Sequence, residues 1–577
     1  MLRRFFARFL GPDANAKLEV LATRAEQAQA TGDLDTAAGC YEAALRIAPE
    51  SAPCHSNLGT LRKSQGKLQE AERHYRRAVQ IAPDLAQAWY NLGVLLHDTW
   101  RLDEAEEALW RALSLVGKSE DNAFLDALLR TQAVTLQSLG RHAKAREFLR
   151  EAAGHFPDHG ATCAAIALFS LSADPQVEAS ELLRGHREWA ERYADPITAA
   201  AVPHAIDANP RRLRLGYVSG DFRDHAVGRF IEPVLANHDR DRFEIFCYDN
   251  SPFEDGITAN LRSHADVWRN IVSLSDDAAA AMVRSDGIDI LVDLSGHTNH
   301  NRLALFARRP APLQLNYLGF NSTTGMRAMD WHVTDAVTDP QGIAEHVYTE
   351  RLLRLPNCQW CYVPPPCPLP GTFPTTPGVI TFGSFNQFGK ITRRMLQLWA
   401  RILAQIPHSR LQIRGVPRAG LDDVALDCFA QQGVAADRLV LLTGRPAAEQ
   451  YWLAYRGADI ALDTHPYNGV TTTCESLWMG LPVVTLAGQY GGARCAASIL
   501  DATGMPELIA NSDDEYLRIA VELACDPTRL ARLHRQMRER LLRSPLMNAR
   551  RLSADLEAGF LMAWNETIAA NPPAAAI

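Results

Sequence analysis

The sequence has no basic excess: 59 lysines and arginines stand against 67 aspartates and glutamates, for a net charge of −8. A chain so balanced carries no electrostatic footprint for nucleic acid or for an anionic membrane surface. It has no uncharged apolar run of roughly 18 residues, the length a spanning helix needs. Its 11 cysteines are odd in number and irregularly spaced, which excludes a secreted disulfide framework and predicts a reducing, cytoplasmic setting. Cys358 and Cys361 form one CxxC with Cys367 nearby, but no fourth ligand follows at a similar spacing, so they read as loop cysteines and not as a zinc site. A P-loop is absent too: Gly383 and Gly389 stand one residue too far apart, and Ile391 follows Lys390. No D-x-D stands at a predicted strand end, since Asp239-Arg-Asp241 falls in a polar turn before a strand, and no metal is expected. The apolar, basic stretch Met1–Lys17 is broken by Arg8 and ends at Gly11-Pro12, too short for a signal or membrane helix; it reads as a frayed first helix.

Within its 577 residues the chain is 47% hydrophobic and 22% charged, an ordinary globular balance for about three to five structural units. The first of these repeats. Gly32, Gly66 and Trp100 are spaced by 34, and after each come a small residue (Ala37, Ala71, Ala105), a large one (Tyr41, Tyr75, Leu109) and a second alanine (Ala44, Ala78, Ala112) at fixed offsets. Pro49 and Pro83 close the first two units, and a fourth copy begins at Gly140 after an irregular insertion within 113–139. Leu58-Gly59 and Trp89-Tyr90-Asn91-Leu92-Gly93 supply the other helix of the unit, in the W-x-x-L-G pattern of tetratricopeptide repeats. Small residues let two helices approach, large ones fill the groove of the neighbouring unit, and proline ends the second helix. We assign residues 1–165 to an α-helical repeat superhelix and 166–210 to a helical connector. The concave face of such a stack is expected to hold protein or peptide partners.

From residue 211 apolar runs alternate with helical stretches. Strands are predicted at Arg212–Ser219, Phe243–Asp249, Ile288–Leu294 and Leu313–Leu318, and then at Val379–Phe385, Arg410–Gly415, Arg438–Leu442, Asp459–Leu462 and Pro482–Leu486. Residues 362–378 are dense in proline and read as a stiff linker. The pattern predicts two doubly wound α/β lobes, 211–375 and 376–577, with a ligand cleft between them at the carboxyl ends of the strands. A final helical region, 513–567, is long enough to cross back over both lobes.

Chemistry-bearing residues collect where strands end. After Asp463 a loop with Asn468 and Gly469 leads through Thr471, Thr472 and Thr473 into a helix expected to start near Cys474; free N–H groups and hydroxyls there suit phosphate as well as simple capping. Glu475, expected in the first turn, suits either a cap or ribose hydroxyls. Lys390, in Gly383–Lys390, is placed to neutralise a departing diphosphate or to sit solvated. His225 lies in the turn after the first strand, where histidines are as a rule structural but able to titrate. Two further strand ends carry His297 with Thr298, and Gly319 with Thr323.

The stretches RLRLGYVSGDFRDH, DILVDLSGHT, FARRPAPLQLNYLGFNSTTG, FGSFNQFGKIT and LDTHPYNGVTTTCESLWMGLPVVTLAG, in this order behind the repeats, resemble the catalytic region of protein O-GlcNAc transferases, including bacterial members and the plant Spindly-type branch. The resemblance covers 212–565. It implies a GT-B-type fold, metal-independent transfer with inversion, and no cofactor beyond a donor, UDP-GlcNAc. It places His225 on the family's active-site histidine, Gln387 and Lys390 on its donor-contacting pair, Thr471 and Thr472 on its diphosphate threonines, and Glu475 on its ribose carboxylate. Tyr451 falls where animal enzymes set a histidine against the base, and His297 replaces a tyrosine of those enzymes. The Val470 neighbourhood is nearer the Spindly-type branch, so GDP-fucose is the alternative donor. An inactive repeat scaffold is the alternative of another class. For the base that takes the acceptor's proton, His225, Asp286 and a water relay stand open.

Overall fold

A computed structural model describes residues 12–117, 122–202, 211–376, 378–417, 420–444 and 448–570. The reading of Met1–Lys17 therefore lies largely outside the described residues. Eight helices open the described chain: Pro12–Ala30, Leu34–Ile47, Ala52–Ser64, Leu68–Ile81, Ala86–Asp98, Leu102–Leu115, Asn122–Ser138 and His142–His155. The 34-residue positions are the turns between paired helices, and the backbone is left-handed there: φ is 77° at Gly32, 75° at Gly66 and 73° at Gly140. Trp100 holds the same turn at φ 59° without the freedom of glycine. The alanines five residues on, Ala37, Ala71, Ala105 and Ala145, are all wholly buried.

The large residue reaches the neighbouring unit as expected: Tyr41 accepts from Asn57 at 3.1 Å, and Tyr75 shares a buried cluster with Leu92 and Leu95. It packs within its own unit as well. A Cβ on Gly59 would stand 2.7 Å from the Tyr75 ring, and one on Gly93 would stand 2.7 Å from Leu109. Each large side chain thus packs on the glycine of its own unit's first helix. The insertion within 113–139 is partly a longer helix, since Asn122–Ser138 has 17 residues where Ala86–Asp98 has 13.

The repeats through Phe148 form one compact unit, and the bulk of the chain from Leu149 forms another. In this second unit the connector is not a free spacer. Its helix Ala179–Tyr193 buries Ala190 into a cluster with Val218, Phe246 and Met326, and Arg187 donates to the Gly325 carbonyl.

The first sheet contains β1 (Leu213–Ser219), β2 (Phe243–Asp249), β3 (Val267–Asn270), β4 (Ile290–Asp293), β5 (Leu313–Asn316), β6 (Trp331–Asp335) and β7 (Arg351–Leu355), in the order β3-β2-β1-β4-β5-β6-β7. Each neighbouring pair is parallel. The second contains β8 (Thr381–Ser384), β9 (Arg410–Val416), β10 (Leu439–Thr443), β11 (Ile460–Leu462), β12 (Val483–Leu486) and β13 (Ile509–Ala510), ordered β10-β9-β8-β11-β12-β13. β4, β5, β8 and β12 are buried along their whole length, which explains their unbroken apolar runs: helices cover both faces of a parallel sheet. Strand order reverses between β1 and β4 and again between β8 and β11. Loops leaving the carboxyl ends of those four strands diverge and open a crevice.

The proline-rich segment is laid along the second lobe. The Leu369 carbonyl accepts from Arg456 at 2.6 Å, and the Phe373 ring stacks on His534 at 4.6 Å. Between the lobes, Ser498 donates to Asp335 at 2.7 Å and Arg494 to the Val337 carbonyl at 2.8 Å. The last helix, Ala549–Ala570, returns to the first lobe as its length predicted. There Glu557 accepts from His238 Nδ1 and from the Asp239 N–H, both at 2.8 Å. No helix among the described residues is long and apolar enough to cross a membrane.

Candidate functional site at the two strand-order reversals

β8 ends in Ser384, and the chain turns through Asn386 and an exposed Gln387 into a short 3-10 turn, Phe388–Lys390. β11 ends in Leu462, and the next loop runs from Asp463 to the helix Thr471–Trp478. Lys390 joins the two. Its Nζ donates to the Asn468 carbonyl at 3.0 Å and lies 4.5 Å from the centre of the Tyr467 ring. Burial draws its pKa down to about 8, with the Asp463 carboxylate pulling the other way. It stays mainly cationic at neutral pH, the form a diphosphate needs.

The helix begins at Thr471, three residues before the expected Cys474, so Thr471–Thr473 are its first turn. Val470 at the N-cap makes no side-chain capping bond, which leaves the positive end of the helix for an anion. Glu475 sits one turn in, past the first-turn position expected of it. It is buried and accepts from the Tyr451 and Tyr455 hydroxyls, the latter at 2.8 Å. Burial raises its pKa. Tyr451 is partly covered by Arg414, whose guanidinium is 4.3 Å from the ring centre, and Phe385 stacks on Tyr455 at 4.1 Å. An aromatic, a cationic and an acidic group thus stand together one turn along the helix from Thr471.

The two threonines differ. Thr472 donates its hydroxyl to Asn386 Oδ1 at 2.7 Å, so that proton is spent within the protein, whereas Thr471 has an exposed edge. Gly469 is required here, because a Cβ would approach Asn386 Oδ1 to 2.6 Å. Asn468 uses its amide N–H on the Thr464 carbonyl at 2.7 Å, while its Oδ1 is buried without a partner.

On the first lobe, His225 follows β1 and caps the helix Ala226–Asn237. Its Nδ1 accepts from the Val227 N–H at 3.3 Å, which leaves Nε2 carrying the proton of the neutral ring. The side chain is 42% exposed. Its pKa is lowered, chiefly by desolvation, against the pull of Asp221. The same helix carries Arg229, whose charge opposes the burial-driven rise in the pKa of Glu475 in the second lobe, and Phe230, whose ring lies 6.3 Å from Tyr362 where the joining segment begins. His225 and the nucleotide-side residues therefore belong to one crevice.

Other sequence assignments are corrected. Asp286 caps the helix Asp276–Ser285 before β4, at the amino end of the strand and away from the crevice. Its carboxylate is held by Tyr248 at 2.9 Å and Arg269 at 2.8 Å, so it is a structural anion and not a base at the site. His297 is buried against the connector, with its ring 4.6 Å from Trp189 and Nε2 bonded to the Thr324 carbonyl at 2.9 Å; burial holds its pKa near 3. Thr323 is buried and donates to Glu350 at 2.6 Å, so it braces its loop. Thr298 bonds the Ser295 carbonyl at 2.8 Å. Gly319 lies against Leu294, too close for any side chain. The residue of that loop that reaches the crevice is Asn321: its carbonyl stands 3.1 Å from where a Cβ on Gly491 would be, and Gly492 bonds Asn468 at 3.0 Å. The motif-level reading also left Asp463, Asn386, Arg414 and Tyr467 without roles. A carboxylate directly after the apolar run Ile460–Leu462 was the available signal for the first.

The chain is similar to known proteins. A family model described as glycosyl transferase family 41 matches residues 198–361 and 373–556, and tetratricopeptide models match 59–99 and 86–115. A Solanum lycopersicum protein named as a probable UDP-N-acetylglucosamine–peptide N-acetylglucosaminyltransferase SPINDLY is 37% identical over 67% of this chain and 42% of its own length. An Arabidopsis thaliana protein with the same activity in its name, SEC, is 33% identical over 63% of this chain and 38% of its own. The match thus spans about two fifths of these plant relatives. The structure of a Thermobaculum terrenum O-GlcNAc transferase variant superposes with a TM-score of 0.72 at 35% identity, over 97% of this chain and 100% of that one.

Proposed function

The chain belongs to glycosyl transferase family 41, and we propose that it moves N-acetylglucosamine from UDP-N-acetylglucosamine to serine or threonine hydroxyls of proteins, with inversion at the anomeric carbon. One observation carries this reading. Lys390 and the uncapped helix start at Thr471 meet at the strand-order reversal of the second sheet, so a departing diphosphate finds an ammonium and a helix dipole together. Each such preorganised contact is worth about 3–4 kcal/mol in the transition state, or ~10²–10³ in rate. No metal is called for in this scheme.

The Tyr451, Arg414 and Glu475 cluster is assigned to the nucleoside, with Gln387 at its edge. The acceptor hydroxyl attacks C1 from the face opposite the diphosphate. His225, with its Nε2 proton, is assigned to the acceptor side as a hydrogen-bond donor to sugar or acceptor oxygen. The repeats are assigned to protein acceptors, in a cytoplasmic setting that suits cysteines scattered singly along the chain.

The test is mass spectrometry of candidate acceptor proteins incubated with the enzyme, excess EDTA and either UDP-N-acetylglucosamine or GDP-fucose. Transfer from the UDP sugar is expected. Transfer from GDP-fucose alone would overturn the donor, and transfer from neither, with or without added magnesium or manganese, would leave a binding scaffold.

A further inference from the structure

The two halves of the diphosphate cradle come from different loops, 386–390 and 463–473, and one buried side chain holds both. Asp463 Oδ1 accepts from the Gly469 N–H at 2.9 Å and from Asn386 Nδ2 at 2.9 Å, and Oδ2 accepts from Thr485 at 2.7 Å. Three donors converge on it, the set a carboxylate takes, while burial pushes its pKa up. Through Asn386 the chain continues to Thr472, whose hydroxyl donates to Asn386 Oδ1 at 2.7 Å. The order Asp463–Asn386–Thr472 therefore runs from the end of β11, across the turn that carries Lys390, to the first turn of Thr471–Trp478.

We propose that Asp463 is a positioning residue for the transfer, a buried anion that locks the lysine turn to the helix start so that both meet the diphosphate without rearrangement. It touches neither donor nor acceptor. Thr472 belongs to the lock through its hydroxyl and contributes to the anion site through its backbone, while Thr471 is the threonine whose hydroxyl is available. Asp463 has a second effect that packing alone would not give: its charge favours the ammonium form of Lys390. This inference rests on the proposed transferase reading, and the experiment separates the two.

Asp463→Asn, Thr472→Val and the double variant are compared with the parent by UDP calorimetry, by turnover with UDP-N-acetylglucosamine and by its pH dependence. Loss of hydrogen bonds to a charged group predicts that Asp463→Asn lowers kcat by about 10–100-fold. Thr472→Val, which removes only the last link, should cost about 3–10-fold. Because both act through one chain, the double variant should fall no more than about twofold below Asp463→Asn. The alkaline limb of the rate profile in Asp463→Asn should move to lower pH, since Lys390 has lost its anion; in Thr472→Val it should stay. Multiplicative losses, or an unmoved alkaline limb in Asp463→Asn, would overturn the proposal. Where Asp463→Asn does not fold, Thr472→Val paired with Asn386→Ala decides it by the same additivity rule. A parent that binds neither UDP nor GDP would instead strike the transferase reading itself.

Discussion

Replacing Lys390 by methionine removes a charge that the fold holds at a cost. An exposed lysine has a pKa of 10.5, and burial brings this one down to about 8. The difference of about 2.5 units, at 1.36 kcal/mol each, corresponds to about 3 kcal/mol. The half-buried ammonium retains some water, which makes that an upper figure. The sign follows from proton counts. Below pH 8 the lysine is charged in both folded and unfolded chains, and the full cost is present. Between pH 8 and 10.5 the unfolded chain binds the extra proton, so the parent gains stability as pH rises, until the cost vanishes. Methionine has no such dependence. The bond to Asn468 and the contact with Tyr467 are lost at every pH and shift the comparison by a constant amount. The stability difference, parent minus Lys390→Met, should therefore climb by about 1–3 kcal/mol from pH 7.5 to 10, read by chemical denaturation of both proteins in matched buffers. Turnover should fall by roughly 10²-fold or more in the variant. A diphosphate restores the lysine's charge, so UDP binding at pH 8.5 should take up a proton in the parent and not in the variant, as calorimetry in buffers of different ionisation enthalpy reports. Parallel stabilities across the whole range, together with binding that takes up no proton, would refute the reasoning.

His225→Ala should leave UDP affinity within about threefold while turnover drops at least tenfold; weak UDP binding with normal turnover at saturation would move His225 to the donor side. Deleting residues 1–155 should spare UDP binding and reduce transfer to protein acceptors, and equal transfer to proteins by the truncated chain would remove the repeats from acceptor binding.

Spacing made the repeats legible, because one backbone requirement recurs: a left-handed turn at Gly32, Gly66 and Trp100, 34 residues apart, and again at Gly140 after the insertion. Strands buried on both faces were legible for a similar reason; Phe243–Asp249 was delimited to the residue. Of the strands missed, β3 (Val267–Asn270) is half exposed. β6 (Trp331–Asp335) is buried throughout, but its run WHVTD is interrupted by His332, Thr334 and Asp335 and does not read as apolar. β7 (Arg351–Leu355), at the sheet's edge, reads RLLRL, two arginines around a leucine pair. Within the candidate site, motifs pointed to loops at strand ends and could not say which way each side chain of a loop turns. In Gly319–Gly325, Thr323 turns inward to Glu350, while Asn321 approaches Gly491 with its backbone carbonyl. Asp286 was misplaced for the same reason: sequence gives its distance from β4 and not the Arg269 that neutralises it.

The return of the last helix has a mechanical consequence. The chain passes between the lobes twice, once through the proline-rich segment and once ahead of Ala549–Ala570, and the second crossing is pinned by Glu557 to His238 and the Asp239 backbone. Two bodies joined by a single tether gape freely in any direction. Two bodies joined at two separate points retain chiefly one soft motion, rotation about the line through both. The bonds from Ser498 to Asp335 and from Arg494 to the Val337 carbonyl fasten the lobes at a further place, so any opening of the crevice has to strain one of these fixed points.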